Sequence, residues 1–153
     1  MTKSESKGAA PSAPLRILVA EDNRMNQLVL KTLLSQIGLE PHLVDDGEAA
    51  VAAWAEGGWD VVLMDVHMPV MDGLSATREI RRREAQERRP VTPIIALTAD
   101  AMSHQVESYL TVGMNGFVGK PINLSDLLTT IRNCLSEPVQ DAPAPDARRG
   151  GAA

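Results

Sequence analysis

Four apolar runs in this sequence each end in residues that can do chemistry. Glu21 and Asp22 follow Leu15-Arg16-Ile17-Leu18-Val19-Ala20, and Asp65 follows Val61-Val62-Leu63-Met64. Thr98 follows Ile94-Ile95-Ala96-Leu97, and Lys120 follows Gly116-Phe117-Val118-Gly119. Three carboxylates brought together repel, so they raise their pKa values or recruit a cation. Oxygen-only ligation with few carboxylates suits Mg²⁺, which keeps several waters and completes its shell with phosphate oxygens. A lysine facing the cluster supplies a point charge for a phosphoryl oxygen, and a threonine hydroxyl supplies a neutral donor. A carboxylate can also act as a nucleophile and form an aspartyl phosphate. The set as a whole therefore predicts a phosphoryl group accepted on Asp65 with Mg²⁺ assistance, a reaction that needs mostly positioning and charge stabilisation. Singly, each member has a plainer reading: Glu21-Asp22 as a helix cap, Thr98 as a strand end, Lys120 as a solvated turn lysine.

The elements that must position these groups follow from periodicity. Uninterrupted apolar runs bounded by turn residues read as strands buried on both faces, as in a parallel sheet, whose ligands gather at the carboxyl ends of the strands. Strands are expected over 15–20, 41–44, 60–65, 94–97 and 116–119. Helices alternate with them. The first carries Met25, Leu28, Val29, Thr32, Leu33 and Ile37 on one face and stops at Gly38. The second opens on Asp45 and Glu48, spaced as a capping box, and presents Ala49, Ala50, Ala53 and Trp54. Leu74, Thr77 and Ile80 mark the third, which runs into six arginines against three glutamates and reads as a solvated, basic helix end. Met102, Val106 and Leu110 mark the fourth, ending at Gly113. Asn123 caps the last, with Leu124, Leu127, Leu128, Ile131 and Leu135 on its apolar face. Five strands alternating with five helices give a doubly wound α/β fold with a parallel sheet.

Composition bounds the rest. The 153 residues suit one domain, placed at 15–136, between a Ser/Ala/Pro-rich leader over 1–14 and a Pro/Ala/Arg-rich tail over 137–153, both expected to be disordered. A net charge of −5 argues against a nucleic-acid-binding surface. The single cysteine, Cys134, cannot form an internal disulfide and reads as a small helix residue. No apolar run approaches the roughly 18 residues of a membrane span, so a cytoplasmic protein without membrane insertion is expected. His42 and His104 read as solvent-facing, Trp54 and Trp59 as packing residues. No second His or Cys stands at a zinc-ligand spacing.

Taken in order, Ala20-Glu21-Asp22-Asn23, Leu63-Met64-Asp65-Val66-His67-Met68-Pro69-Val70-Met71-Asp72-Gly73, Ala96-Leu97-Thr98-Ala99 and Gly119-Lys120-Pro121 resemble the receiver domain of two-component response regulators. Glu21-Asp22-Asn23 with Asn26, and Thr98-Ala99-Asp100-Ala101-Met102, look most like receivers attached to hybrid sensor histidine kinases. The resemblance implies a flavodoxin-like fold and a role in phosphorelay signalling rather than turnover of a substrate. It implies that Asp65 is the phosphoacceptor, that Asp22 binds Mg²⁺ directly and Glu21 through a water, and that the His67 carbonyl completes the protein ligands. It further implies that Thr98 and Lys120 contact the phosphoryl group, that Phe117 is the switch aromatic, and that Lys120-Pro121 is cis. A resting Thr98 is expected to have no strong partner in the pocket. Implied partners are a sensor histidine kinase or a histidine phosphotransfer protein, and a downstream protein on the face made by the fourth helix, fifth strand and fifth helix.

The competing reading is a Mg²⁺-dependent phosphohydrolase with an aspartyl-phosphate intermediate on the same type of sheet. Such hydrolases usually place a second carboxylate two residues after the nucleophile, and His67 stands there instead. A transcription factor would need a DNA-binding domain for which no sequence is left.

Overall fold

Every apolar run named above forms a strand in the computed structural model, which describes residues 15–99 and 105–136. The strands are β1 (Ile17–Ala20), β2 (His42–Val44), β3 (Val61–Asp65), β4 (Ile94–Thr98) and β5 (Gly116–Gly119). The helices are α1 (Arg24–Ser35), α2 (Gly47–Glu56), α3 (Gly73–Glu87), α4 (Gln105–Thr111) and α5 (Leu124–Ser136). The strands pair in parallel in the order β2-β1-β3-β4-β5. Chain order reverses between β1 and β3, so the crevice at a topological switch point opens beside the ends of these two strands.

Helices cover both faces, which is why the central strands are apolar throughout. Ile17, Val19, Leu63, Ile95, Leu97 and Val118 pack against Leu30 and Leu34 of α1 and Leu127 and Ile131 of α5. On the opposite face Leu18, Val62, Met64, Ile94 and Ala96 meet Trp54, Ala76, Ile80 and Tyr109 from α2, α3 and α4. Burying each large aliphatic side chain contributes about 1.5–3 kcal/mol, so this two-layer core holds the strand ends in place.

Three expectations need correction. The buried stripe of α1 is Gln27, Leu30 and Leu34, while Met25, Leu28, Val29 and Ile37 face solvent. Asn23 is the N-cap and accepts from the Asn26 N–H at 3.0 Å, which fixes the helix register one face away from the expected one. At α2 the cap is Asp46 rather than Asp45, with its carboxylate accepting from the Ala49 N–H at 2.8 Å. The helix begins at Gly47, whose N–H donates to the Met71 carbonyl at 3.0 Å, and a Cβ there would strike that carbonyl. The arginines of α3 and just after it are not all solvated. Arg81 donates to the Gly113 carbonyl at 2.8 and 3.0 Å and to Asn115 at 2.8 Å, tying α3 to the loop before β5. Arg89 lies 4.1 Å over the Trp54 ring and donates to the Ala55 carbonyl at 3.2 Å, holding the end of α2. Arg82 and Arg83, paired with Glu79, and the exposed Arg78 and Arg88 match the solvated reading.

Other expectations agree. Asn123 caps α5 through the Asp126 N–H at 2.9 Å, and the Lys120-Pro121 peptide is cis. Trp54 is buried; Trp59 packs under Arg16 and beside the exposed His42. Cys134 is half-buried in α5. The leader, the tail, Asp100, Ala101, Met102 and His104 lie outside the described residues.

Candidate functional site

The end of β1 delivers Glu21 and Asp22 to the crevice. The Glu21 N–H donates to the Val44 carbonyl at 3.1 Å, continuing the sheet for one more residue and burying the side chain completely. Its Oε2 accepts from the Asn23 N–H at 3.1 Å, while Asp22 stays exposed at the rim. Gln27 locks this turn from α1. Its side-chain amide donates to the Glu21 carbonyl at 2.6 Å and to Asp45 Oδ1 at 2.8 Å, joining the ends of β1 and β2. The sequence reading missed Gln27. The signal available was its spacing of three and seven from Leu30 and Leu34, counted from the Asn23 cap.

Asp65 ends β3 and is 4% exposed. The chain turns sharply after it, and Gly73 opens α3 so close that a Cβ there would overlap the Asp65 carbonyl. The His67 N–H points at Asp65 Oδ1 from 3.4 Å, while the His67 side chain is exposed. Asp72 caps α3 by accepting from the Ser75 N–H at 2.8 Å. Lys120 enters from the end of β5, where its N–H donates to the Thr98 carbonyl at 2.8 Å. Its ammonium lies 3.2 Å from Asp65 Oδ1 and 3.1 Å from Glu21 Oε1.

Thr98 is held differently from the expectation. Thr98 is 1% exposed, and its hydroxyl lies 2.7 Å from the Tyr109 hydroxyl of α4, so the resting threonine has a strong partner. Phe117, opposite Ala96 in the sheet, is 37% exposed on the outer side of β5. The structure thus brings Glu21, Asp22, Asp65 and Lys120 into one pocket, while the Thr98 hydroxyl is turned to Tyr109 and Phe117 is on the surface.

Electrostatics follow from crowding. Burial, and then the neighbouring Glu21 carboxylate, push the Asp65 carboxyl from 3.8 up to about 7, against the opposing pull of Lys120. For Glu21 burial also raises the pKa, but the neighbouring Asp65 carboxyl, the hydrogen bond from the Asn23 N–H and the Lys120 ammonium outweigh it and hold it low. Burial disfavours the Lys120 ammonium, yet the two carboxylates overcome this and raise its pKa. One ammonium among three carboxylates leaves the pocket short of positive charge.

A divalent cation fits that deficit. Carboxylate oxygens of Glu21, Asp22 and Asp65 all lie within 4.8 Å of one another. Glu21 Oε1 is buried and meets the Lys120 ammonium without hydrogen-bond alignment, so a lone-pair site inside the cluster remains unsatisfied. An all-oxygen donor set with an exposed rim residue suits a hard, partly hydrated ion such as Mg²⁺.

Comparison with known proteins agrees with this geometry. The response regulator receiver domain profile matches residues 17–132. Sensor protein GacS of Pseudomonas syringae pv. syringae is 40% identical over 131 residues, covering 86% of this chain and 14% of that protein. The chain therefore spans a small part of that relative. A receiver domain of a Pseudomonas aeruginosa PAO1 sensor histidine kinase, solved with a magnesium ion coordinated in its active-site cleft, is 40% identical with a TM-score of 0.72, covering 82% of this chain and all of that one. The receiver domain of Saccharomyces cerevisiae Ssk1, solved with the histidine phosphotransfer protein Ypd1, is 32% identical with a TM-score of 0.69, covering 76% of this chain and 86% of that one. In sequence, fold and acidic pocket, this chain belongs to the response regulator receiver domain family, a signalling module and not a classical enzyme.

Proposed function

We propose that this domain accepts a phosphoryl group on Asp65 from a phosphohistidine donor, and that the pairing of a buried carboxylate cluster with the Lys120 ammonium carries the reaction. The supporting observation is the position of Lys120 Nζ, 3.1 and 3.2 Å from Glu21 and Asp65. Asp22 and Asp65, with the His67 carbonyl, would hold Mg²⁺ directly, and Glu21 would hold it through a water. Once bound, Mg²⁺ supplies the positive charge that lets Asp65 ionise and that offsets charge on the phosphoryl oxygens.

The protein's own groups account for the remaining work. An Asp65 carboxylate oxygen forms the new P–O bond as the donor's P–N bond breaks, and the imidazole leaves with the bond's electron pair and takes up a proton. Lys120 leaves its carboxylates and pairs with a phosphoryl oxygen, while the fixed turn before Gly73 keeps Asp65 in line. The Thr98 hydroxyl donates to a second phosphoryl oxygen. Met25, Leu28 and Val29, exposed on α1 directly after Asp22 and Asn23, form an apolar landing surface beside the pocket for the donor, a histidine kinase or a histidine phosphotransfer protein. The crystallised pair of Ypd1 and the Ssk1 receiver supports a donor of the latter kind. The face made by α4, β5 and α5, with Phe117 at its centre, is assigned to a downstream protein. No described helix is long and apolar enough to cross a membrane.

Intact-mass measurement after incubation with a small phosphodonor tests this reading. One phosphoryl group should appear in the presence of Mg²⁺, little with chelator, and none on Asp65→Asn. Labelling of Asp65→Asn at the wild-type rate would overturn the assignment.

A further inference from the structure

Phe117 has no ring hydroxyl, yet a phenol does reach Thr98, and it comes from another element. The Tyr109 ring of α4 is 2% exposed, and its hydroxyl lies 2.7 Å from Thr98 Oγ1. Tyr109 is the chain's single tyrosine. Thr98 continues the sheet face that carries Ile94 and Ala96, the face packed against Tyr109. Asp65 continues the other face, the one carrying Val61 and Leu63, and its register partner is Leu97, one residue before Thr98. Alternation along a strand therefore starts the Thr98 and Asp65 side chains toward opposite faces. For the Thr98 hydroxyl to reach a phosphoryl oxygen on Asp65, it must turn away from Tyr109.

Phe117 sits opposite Ala96, so it belongs to the same face as Thr98 and Tyr109, but its ring is outside. Tyr109 is the aromatic ring that occupies the interior of that face beside Thr98. An inward movement of Phe117 has to contend with it.

We propose that Tyr109 is a positioning residue: its hydrogen bond holds Thr98 in the resting orientation, and loss of that bond on phosphorylation passes the signal to α4. The inference rests on the reading of Asp65 as phosphoacceptor. A phosphoryl oxygen offers Thr98 a charge-assisted bond, stronger than the neutral one to a phenol, so the exchange runs forward when phosphate arrives. Loss of this bond removes the tie between Tyr109 and the end of β4, and α4 carries the Tyr109 backbone, so the change reaches that helix. Coupling between pocket and α4 thus resides in the difference between two bonds competing for one hydroxyl.

Tyr109→Phe deletes the hydroxyl and keeps the ring. With beryllofluoride and Mg²⁺ as the probe, followed by amide NMR titration, this variant should bind the probe about fivefold tighter than wild type, the factor carried by one ordinary buried hydrogen bond. In a Thr98→Val background the same substitution should change affinity by less than that factor can be measured, because no hydroxyl remains to release. A general loosening of the fold would weaken probe binding in both backgrounds, so the sign and its dependence on Thr98 separate positioning from plain structural support. Unchanged or weaker binding by Tyr109→Phe overturns the inference. As a measurement on the unsubstituted chain, the ¹³C signal of the lone tyrosine ring should shift when the probe is added, and a ring signal that stays fixed while the Asp65 amide moves also overturns it. A wild type whose Asp65 amide does not respond to the probe refutes the acceptor reading, and the inference with it, and is a distinct result.

Discussion

Lys120 Nζ lies 3.2 Å from Asp65 Oδ1, and this ion pair crosses from the end of β5 to the end of β3. The same ammonium meets Glu21 Oε1 at 3.1 Å, so one cation links two carboxylates that would otherwise repel. It resides where an incoming phosphoryl oxygen would need it, and the pocket is charge-balanced only in part.

Removing that charge should be felt in two ways. Lys120→Met keeps the aliphatic stem and should cost about 1–3 kcal/mol of stability at pH 8 without divalent cation, measured by urea unfolding. Added Mg²⁺ should return part of the loss, since it neutralises the same oxygens. Phosphoryl labelling should slow even at saturating Mg²⁺. Equal stability of variant and wild type would show that the ammonium does not hold the cluster together.

The raised Asp65 pKa makes stability depend on pH. The folded state holds the Asp65 proton up to about pH 7, whereas an unfolded aspartate releases it near 3.8. Stability from this group is therefore full below its unfolded value and is lost as pH rises through its folded value. Glu21, held low, acts in the opposite sense: its stability is present above its unfolded value and lost as pH falls through the folded one. Between about pH 5 and 8 the Asp65 effect should dominate. In chelator, Asp65→Asn should be more stable than wild type by about 1–2 kcal/mol at pH 8, after allowance for water reaching the pocket through its open rim. The gap should close toward pH 4. Parallel pH profiles for the two proteins would contradict the raised pKa.

Gln27 is expected to matter although it touches neither Asp65 nor Lys120. Gln27→Ala leaves the Glu21 carbonyl and Asp45 without their shared donor and should cost about 1–2 kcal/mol. It should also weaken Mg²⁺ binding, read by calorimetry, because the turn carrying Glu21 and Asp22 loses its anchor. Full Mg²⁺ affinity with reduced stability would limit Gln27 to a packing role.

Gly73→Ala tests the turn behind Asp65. The added Cβ meets backbone, which cannot move aside as a flexible side chain can, so a loss of about 1–3 kcal/mol is expected from thermal melts. Shifts in the Asp65 amide signal should accompany it.

Much of this arrangement was legible in the sequence because its parts are local. Buried parallel strands have no polar face, so apolar runs such as Val61-Val62-Leu63-Met64 announce themselves, and the groups at their ends are fixed by chain order. Glu21, Asp22, Asp65 and Lys120 meet as expected for that reason. Faces of helices were harder. Helix α1 is apolar on two sides, and Met25, Leu28 and Val29 outnumber Leu30 and Leu34, so counting apolar residues selected the exposed side. The cap at Asn23 held the correct register, and Gln27 with it. Partners distant in sequence left no local trace. The Thr98–Tyr109 bond spans a helix and a strand, and Arg81 reaches Gly113 across 32 positions. Nothing in the spacing of arginines distinguishes Arg81 and Arg89, which bind backbone carbonyls, from Arg82, which stays in solvent.

The most direct test of phosphoryl acceptance is to locate the modified atom. Borohydride reduces an acyl phosphate to an alcohol, which leaves a permanent mark at the phosphorylated carboxylate. After incubation with a small phosphodonor and Mg²⁺, followed by borohydride and peptide mass mapping, the mark should appear at position 65 and at neither Glu21 nor Asp22. A mark at either of those residues, or an unmarked peptide 60–73 from fully labelled protein, would contradict Asp65 as the acceptor.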